Sequence, residues 1–380
     1  MNMDDFNHRN LGSLLGIRRV GITLNRVVNM VVFRVCSFIR ERLFFLAMSM
    51  FSLAMLMSFA GCNQMETKKQ ISGKTMGTTY HISYFGQPAP SVVKKAVDSL
   101  MLALNAEVST YIPSSTISQF NANPSDTVVI AATHHYFWDN FAKAKEIYSL
   151  TEGYFDPTVM PLVNYWGFGY KGHRPVEEVD SMVVDSLLQM VGFDQLRRRG
   201  DTIFRLTPHV QLDFSALAKG YGVDVVAAWF DEHGVERYFV EIGGENRAFG
   251  RKPNDQKWTV GISIPKEGAG IDAYNTVVEL DNRAMATSGN YRNFYEVNGQ
   301  KFSHTINPKT GFSERNTILS ASVLAENCMT ADALATAMMA MGHEKAKKLE
   351  KSLESIDVIL KIGLPDGNIK TEFSNPALKK

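Results

Sequence analysis

The sequence is short of cysteine, of net charge and of nucleotide-loop glycines. Three cysteines occur in 380 residues, Cys36, Cys62 and Cys328. With Cys36 lost in a leader and Cys62 modified, as argued below, Cys328 stands alone and no disulfide can form within the mature chain. Lys and Arg number 40 against 39 Asp and Glu, a formal net charge of +1, so nothing marks a nucleic-acid surface. No P-loop and no GxGxxG element occurs, the histidines lack metal-type spacing, and no repeat or low-complexity tract is present. What remains is a globular composition, 45% hydrophobic, long enough for a sizeable core.

What is present begins with a leader. Arg34, Arg40 and Arg42 precede an uncharged apolar run from Leu43 to Ala60, which ends Ser58-Phe59-Ala60-Gly61-Cys62. Basic residues, an apolar stretch and small residues before a cysteine make the pattern of a lipoprotein signal, with lipid attached to Cys62 after cleavage. An uncleaved membrane anchor is the competing reading, because the run is just long enough to span a bilayer. Residues 1–61 are thus expected to be signal, 62–70 a polar tether and 71–375 the folded domain. The length of the leader makes Met30 an alternative translation start.

Periodicity predicts strands at Thr79–Phe85, Thr127–Ala131, Thr202–Leu206, Val210–Phe214, Tyr238–Ile242, Trp258–Ile264, Thr276–Leu280, Ile318–Leu324 and Ile356–Ile362. It predicts helices at Ser91–Leu104, His135–Leu150, Ser215–His233, Met329–Met341 and Glu344–Leu353. A polar, helix-containing insertion fills Lys171–Asp201. Strands and helices mix without regular βαβ alternation, so the fold class is α+β.

Three segments carry chemistry. Leu212-Asp213-Phe214-Ser215-Ala216-Leu217-Ala218-Lys219-Gly220 delivers an acid and a small-residue turn to a helix start, where free N–H groups and a lysine suit a phosphate. Read alone, it is equally a structural strand-to-helix turn. In Thr330-Ala331-Asp332-Ala333-Leu334-Ala335-Thr336, residues 332 and 336 share a helix face, so a carboxylate and a hydroxyl could hold Mg²⁺, or an Asp could simply favour the helix dipole. The third cluster joins Ala286-Thr287-Ser288-Gly289-Asn290-Tyr291-Arg292, read as a turn with backbone donors, to Ser303-His304-Thr305-Ile306, whose histidine can act as acid or base. Gly243-Gly244 after a strand permits close approach to a ligand, or only a turn. Aromatics between Tyr154 and Tyr170 could stack on a flavin or adenine ring, or fill a core.

Together with Lys74-Thr75-Met76-Gly77-Thr78, Ser109-Thr110-Tyr111, Ser118-Gln119-Phe120-Asn121, Gly153-Tyr154-Phe155-Asp156-Pro157-Thr158-Val159 and Pro161–Gly169, these segments resemble, in order, the ApbE-type FAD:protein FMN transferases. The resemblance spans residues 71 to 345. It implies mixed sheets with packed helices, not a Rossmann fold, and FAD in a crevice. It implies FAD contacts at Met76, Tyr111, Tyr154, Phe155, Asp156, Asp213, Lys219 and Ile306. The Mg²⁺ site it implies consists of the Ala216 carbonyl, Asp332 and Thr336, and His304 is implicated in catalysis. The implied reaction is attack by a threonine hydroxyl on the FMN-side phosphorus of FAD, with AMP leaving and either His304 or Asp213 taking the proton. The implied acceptor is a subunit of a membrane redox complex, such as a sodium-pumping NADH:quinone reductase or an Rnf-type complex. With the leader, this places the chain on the inner membrane, facing the periplasm.

Three other readings are weighed. Water in place of threonine would make the chain an FAD pyrophosphatase, and loss of chemistry would leave an FAD-binding lipoprotein. Ser91-Val92-Val93-Lys94, Ser288-Gly289-Asn290 and Lys309-Thr310-Gly311 reproduce in order the elements of penicillin-recognising serine enzymes, but the last two lie too close together for that class.

Overall fold

The computed structural model describes residues 29–52 and 67–379, apart from 171–175, 177, 267, 269–272, 291–293, 298–299 and 315. Cys62, Tyr291 and Arg292 lie outside the described residues. The chain divides into two compact units, Met1–Met65 and Glu66–Lys380. In the first, residues 29–52 form helix α1. Among the described residues no helix is long and apolar enough to cross a membrane.

The second unit is organised by an eight-stranded sheet. Its spatial order is β1 (Lys69–Thr75), β2 (Thr78–Tyr84), β6 (Tyr238–Ile242), β7 (Glu245–Phe249), β10 (Ala284–Gly289), β13 (Ile318–Ala325), β14 (Asp357–Gly363) and β15 (Ile369–Phe373). Every neighbouring pair is antiparallel. A dinucleotide-binding Rossmann sheet is parallel, so the α+β expectation holds. Strand β1 begins at Lys69, so the last two residues of the expected tether already belong to the sheet. The β1–β2 turn is Met76-Gly77 with φ of +50° and +71°. Such a two-residue turn matches strand twist and welcomes glycine, whereas a methionine there is strained.

Side chains alternate between the two faces of this sheet, as a two-residue period requires. Ala286, Val323 and Leu360 face the main core, built with helices α2 (Pro90–Val108), α4 (His135–Leu150), α7 (Ala218–Glu232) and α8 (Cys328–Met341). Met285, Leu324 and Ile359 face a second core, closed by a two-stranded ribbon of β8 (Trp258–Ser263) and β9 (Tyr274–Leu280). On α2 the buried residues are Val93, Val97, Met101, Leu104 and Val108, a stripe at helical spacing. Helix α8 is buried on nearly all sides, with alanines that let it lie close on β10 and β13.

Smaller elements surround this frame. A three-stranded sheet orders β3 (Thr127–Val129), β5 (Thr202–Arg205) and β4 (Leu196–Arg199), and β11 (Phe294–Val297) pairs with β12 (Gln300–Ser303). The short helices are α3 (Thr116–Ala122), α5 (Met160–Tyr165), α6 (Ser181–Leu188) and α9 (His343–Ser352). The expected insertion resolves into α6, capped by Asp180 through the Met182 and Val183 N–H groups, followed by β4.

Three expectations need correction. Val210–Phe214 is not a strand. Its partner is a side chain: Asn121 donates to the Leu212 carbonyl at 2.8 Å and accepts from the Leu212 N–H at 2.7 Å, as a neighbouring strand would. The helix expected from Ser215 starts at Ala218, so Lys219 stands in its first turn. Ala286–Gly289, read as a turn, is part of β10, with its backbone paired to β13.

Candidate active site

Where helices α7 and α8 meet the ends of β7 and β10, a cavity of about 510 Å³ opens, a size suited to a small-molecule or cofactor ligand. Its floor is charged. Lys219 extends from α7 and places Nζ 3.2 Å from Glu245 Oε1 and 3.9 Å from Asp332 Oδ2. The two carboxylates are only 5% and 4% exposed. Burial alone would depress the Lys219 ammonium, but Asp332 and Glu245 outweigh it and raise its pKa. Burial also pushes Glu245 and Asp332 upward against the pull of Lys219.

The floor is fixed by contacts between the helices. Asp332 Oδ2 accepts the Gly220 N–H at 3.0 Å, so the helix start expected to meet a phosphate already meets a protein carboxylate. Gly220 is needed there, because a Cβ would lie 2.4 Å from the Cys328 carbonyl oxygen. One turn on, Asp224 accepts from the Cys328 and Met329 N–H groups at 2.9 and 2.8 Å and pairs with Arg247 at 3.0 Å. A carboxylate on the positive end of α8 fixes the helix that carries Asp332 and Thr336. Thr336 in turn shares a 3.0 Å hydrogen bond with Ser288 on β10.

The residues proposed from sequence converge here with one exception. Ala216, Asp332 and Thr336 line the cavity, as do Asp213, Lys219, His304 and Ile306. Tyr111, Tyr154, Phe155 and Asp156 line it as well. Met76 does not: its side chain packs against the main core beside Gly222. Asp213 accepts from the Ser215 N–H and hydroxyl at 2.9 and 2.5 Å, and desolvation raises its pKa. Tyr111, 66% exposed, stands at the rim near that carboxylate. Asp156 is buried, takes both hydrogen bonds of Thr158, and is pushed up to about 6 by desolvation. The Lys345 ammonium lies over the Tyr154 ring and donates to its hydroxyl. His304 sits edge-on to Phe168, with ring centroids 6.4 Å apart.

The aromatic loop divides between the two roles weighed for it. Trp166 is fully buried, stacks on Phe302 and donates Nε1–H to the Gly311 carbonyl at 2.7 Å, so it fills a core. Phe168 and Tyr170 line the cavity. The penicillin-type elements are not assembled, since Ser288 lines the cavity but neither Ser91 nor Lys309 does. Sequence reading missed Glu245. The signal available was its place directly after Gly243-Gly244, whose φ values of +63° and +105° turn β7 into the floor.

The floor suits a hard divalent cation. Two buried carboxylates face a single lysine, and Glu245 Oε2 has no hydrogen-bond partner among the described residues. Among the described residues no three His, Cys, Asp or Glu side chains converge as a ligand set, so a cation would rest on mixed oxygen donors. Carboxylate, hydroxyl and carbonyl oxygens, completed by water and substrate phosphate, are the donors Mg²⁺ prefers.

Known proteins of the same build exist. The FAD:protein FMN transferase of Vibrio cholerae is 36% identical over 319 residues, covering 83% of this chain and 94% of that protein. Its counterpart from Haemophilus influenzae is 36% identical over 339 residues, covering 87% and 96%. The solved structure of the flavin transferase ApbE from Vibrio cholerae superposes with a TM-score of 0.73 at 34% identity, over 82% of this chain and 98% of that one. The ApbE family model matches residues 76–360, the stretch that runs from the β1–β2 turn into β14 and contains every residue that lines the cavity. By its family match, by sequence identity and by fold, this chain belongs to the ApbE family.

Proposed function

We propose that this protein transfers the FMN half of FAD to a threonine hydroxyl of an acceptor protein and releases AMP. The observation that carries the reading is the meeting, in one cavity of a family member, of a buried lysine–carboxylate floor with Asp213 and His304. FAD is a dianion at its pyrophosphate, and attack by an oxygen adds charge to the departing AMP. Lys219 stands where it can offset that charge. The Ala216 carbonyl, Asp332 and Thr336 would hold Mg²⁺, which when bound neutralises phosphate charge. In the transfer, the threonine oxygen forms a bond to the FMN-side phosphorus, the bond from that phosphorus to the bridging oxygen breaks, and AMP leaves with the electron pair. The hydroxyl proton goes to His304 or Asp213. Desolvation raises the Asp213 pKa above the usual carboxylate range, which makes it a stronger base than an exposed aspartate.

The leader pattern supports a lipid on Cys62 and an exported protein on the inner membrane facing the periplasm, and the family resemblance supports an acceptor subunit of a membrane redox complex of the sodium-pumping NADH:quinone reductase or Rnf type. Incubation of the protein with FAD, Mg²⁺ and a threonine-bearing acceptor separates the readings. Covalent flavin on the acceptor with AMP released is the expected result. Free FMN with AMP would mean a pyrophosphatase, and intact FAD a carrier.

A further inference from the structure

Lys361, on β14, is entirely buried. Its ammonium donates to three neutral oxygens: the Ile262 carbonyl at 3.3 Å, the Ser263 carbonyl at 3.0 Å and Asn275 Oδ1 at 2.5 Å. Burial lowers it to about 8, with no carboxylate in the balance. An isolated buried charge is unfavourable for stability, and an apolar side chain of similar volume would fill the space without that cost. The reason for a lysine has to be sought in what it holds.

All three oxygens belong to an irregularity in the ribbon. Register steps from Ile262↔Thr276 to Ser263↔Tyr274, which leaves Asn275 as the extra residue of a bulge. Bulges disrupt the local ladder, bend the strand and re-aim its side chains, often beside active sites. Here the bent stretch is itself a cavity wall: Val260, Gly261, Ile262 and Ser263 all line it. None of the four is ionisable, so the wall offers shape and apolar surface rather than charge. Gly261 lies so close to the Tyr274 ring that a Cβ there would be 2.9 Å from it, so no side chain larger than hydrogen fits at that point.

We propose that Lys361 is a positioning residue: by tying the bulge carbonyls and Asn275 to β14, it sets the shape of the wall on which a ring of the dinucleotide substrate packs. This rests on the reading of the cavity as the FAD site. The ammonium never touches substrate. Its influence falls on substrate affinity and leaves the phosphate chemistry at the floor unchanged.

The test uses the full-length protein, with FAD affinity measured by flavin fluorescence and KM and kcat measured by AMP release. Lys361→Met is expected to raise Kd and KM about tenfold while kcat stays within about twofold. Asn275→Ala removes one of three acceptors and is expected to raise KM about two- to threefold. Asn275→Asp gives the ammonium a charged partner and is expected to keep the wild-type KM. If Lys361→Met does not fold, the contrast between the two Asn275 variants decides. Wild-type KM in both Lys361→Met and Asn275→Ala, or a fall in kcat at constant KM, overturns the proposal. Absence of FAD binding by the wild-type protein would instead overturn the reading of the cavity and remove the basis of the proposal with it.

Discussion

The floor of the cavity is made of charges, with Lys219 on α7, Asp332 on α8 and Glu245 at the start of β7, whereas the wall at residues 260–263 holds no ionisable group. The floor is braced twice, by Gly220 N–H on Asp332 and by Asp224 on the first N–H groups of α8. The wall is a two-stranded ribbon held to the sheet by its apolar face and one buried lysine. On the proposed function the difference separates two tasks. Groups that meet developing charge need fixed positions and low local dielectric, which the packed elements and the burial of the floor supply. Groups that recognise a flat ring need only a surface, and a ribbon provides one.

The comparison can be broken at either side. The largest effect is expected from Lys219→Met, which leaves Glu245 and Asp332 without their cation. A loss of kcat/KM of about 100-fold or more is expected, read by AMP release from FAD. Next comes Gly220→Ala, whose Cβ would meet the Cys328 carbonyl and push α7 from α8. Destabilisation of about 2–4 kcal/mol is expected in chemical denaturation.

A third effect concerns pH. Glu245 and Asp332 have folded pKa values above their ordinary ones, so their contribution to stability is present at low pH and lost as pH rises through the folded values. Glu245, pushed from 4.5 to about 8, sets the window. Without metal, stability should fall across it. On the proposed Mg²⁺ site, which takes Asp332 in its deprotonated form beside Glu245, the rise in Tm on adding Mg²⁺ should be larger at pH 8 than at pH 6, read by scanning calorimetry. An equal rise at both would detach the metal from these carboxylates. The smallest effect sharpens the wall's side: Ile262→Val trims one methylene from the wall and should raise KM for FAD about two- to threefold with kcat unchanged.

The same contrast governs how much could be read from sequence. The α2 stripe and the strands at Tyr238–Ile242 and Ile318–Leu324 were legible because a local period sets which face is buried. Val210–Phe214 has strand composition but pairs with the side chain of Asn121, a partner far away in sequence that no period reports. Asp213, Lys219, Asp332 and Thr336, which helix spacing and the family motif together single out, all line the cavity. Glu245 and Lys361 escaped notice because each is a single charged residue whose burial depends on remote elements. A lysine within the apolar run Ile356–Ile362 was the one mark of Lys361. Met76 shows the reverse: the motif is there, but its side chain faces the core.

The floor's role is tested most directly by mass spectrometry of a threonine-bearing acceptor incubated with FAD, Mg²⁺ and either the wild-type protein or Asp332→Ala. The expected result is one FMN attached to the acceptor by the wild-type protein and none by the variant, with circular dichroism showing both folded. Equal flavin on the acceptor from both proteins would contradict the assignment of chemistry to the floor.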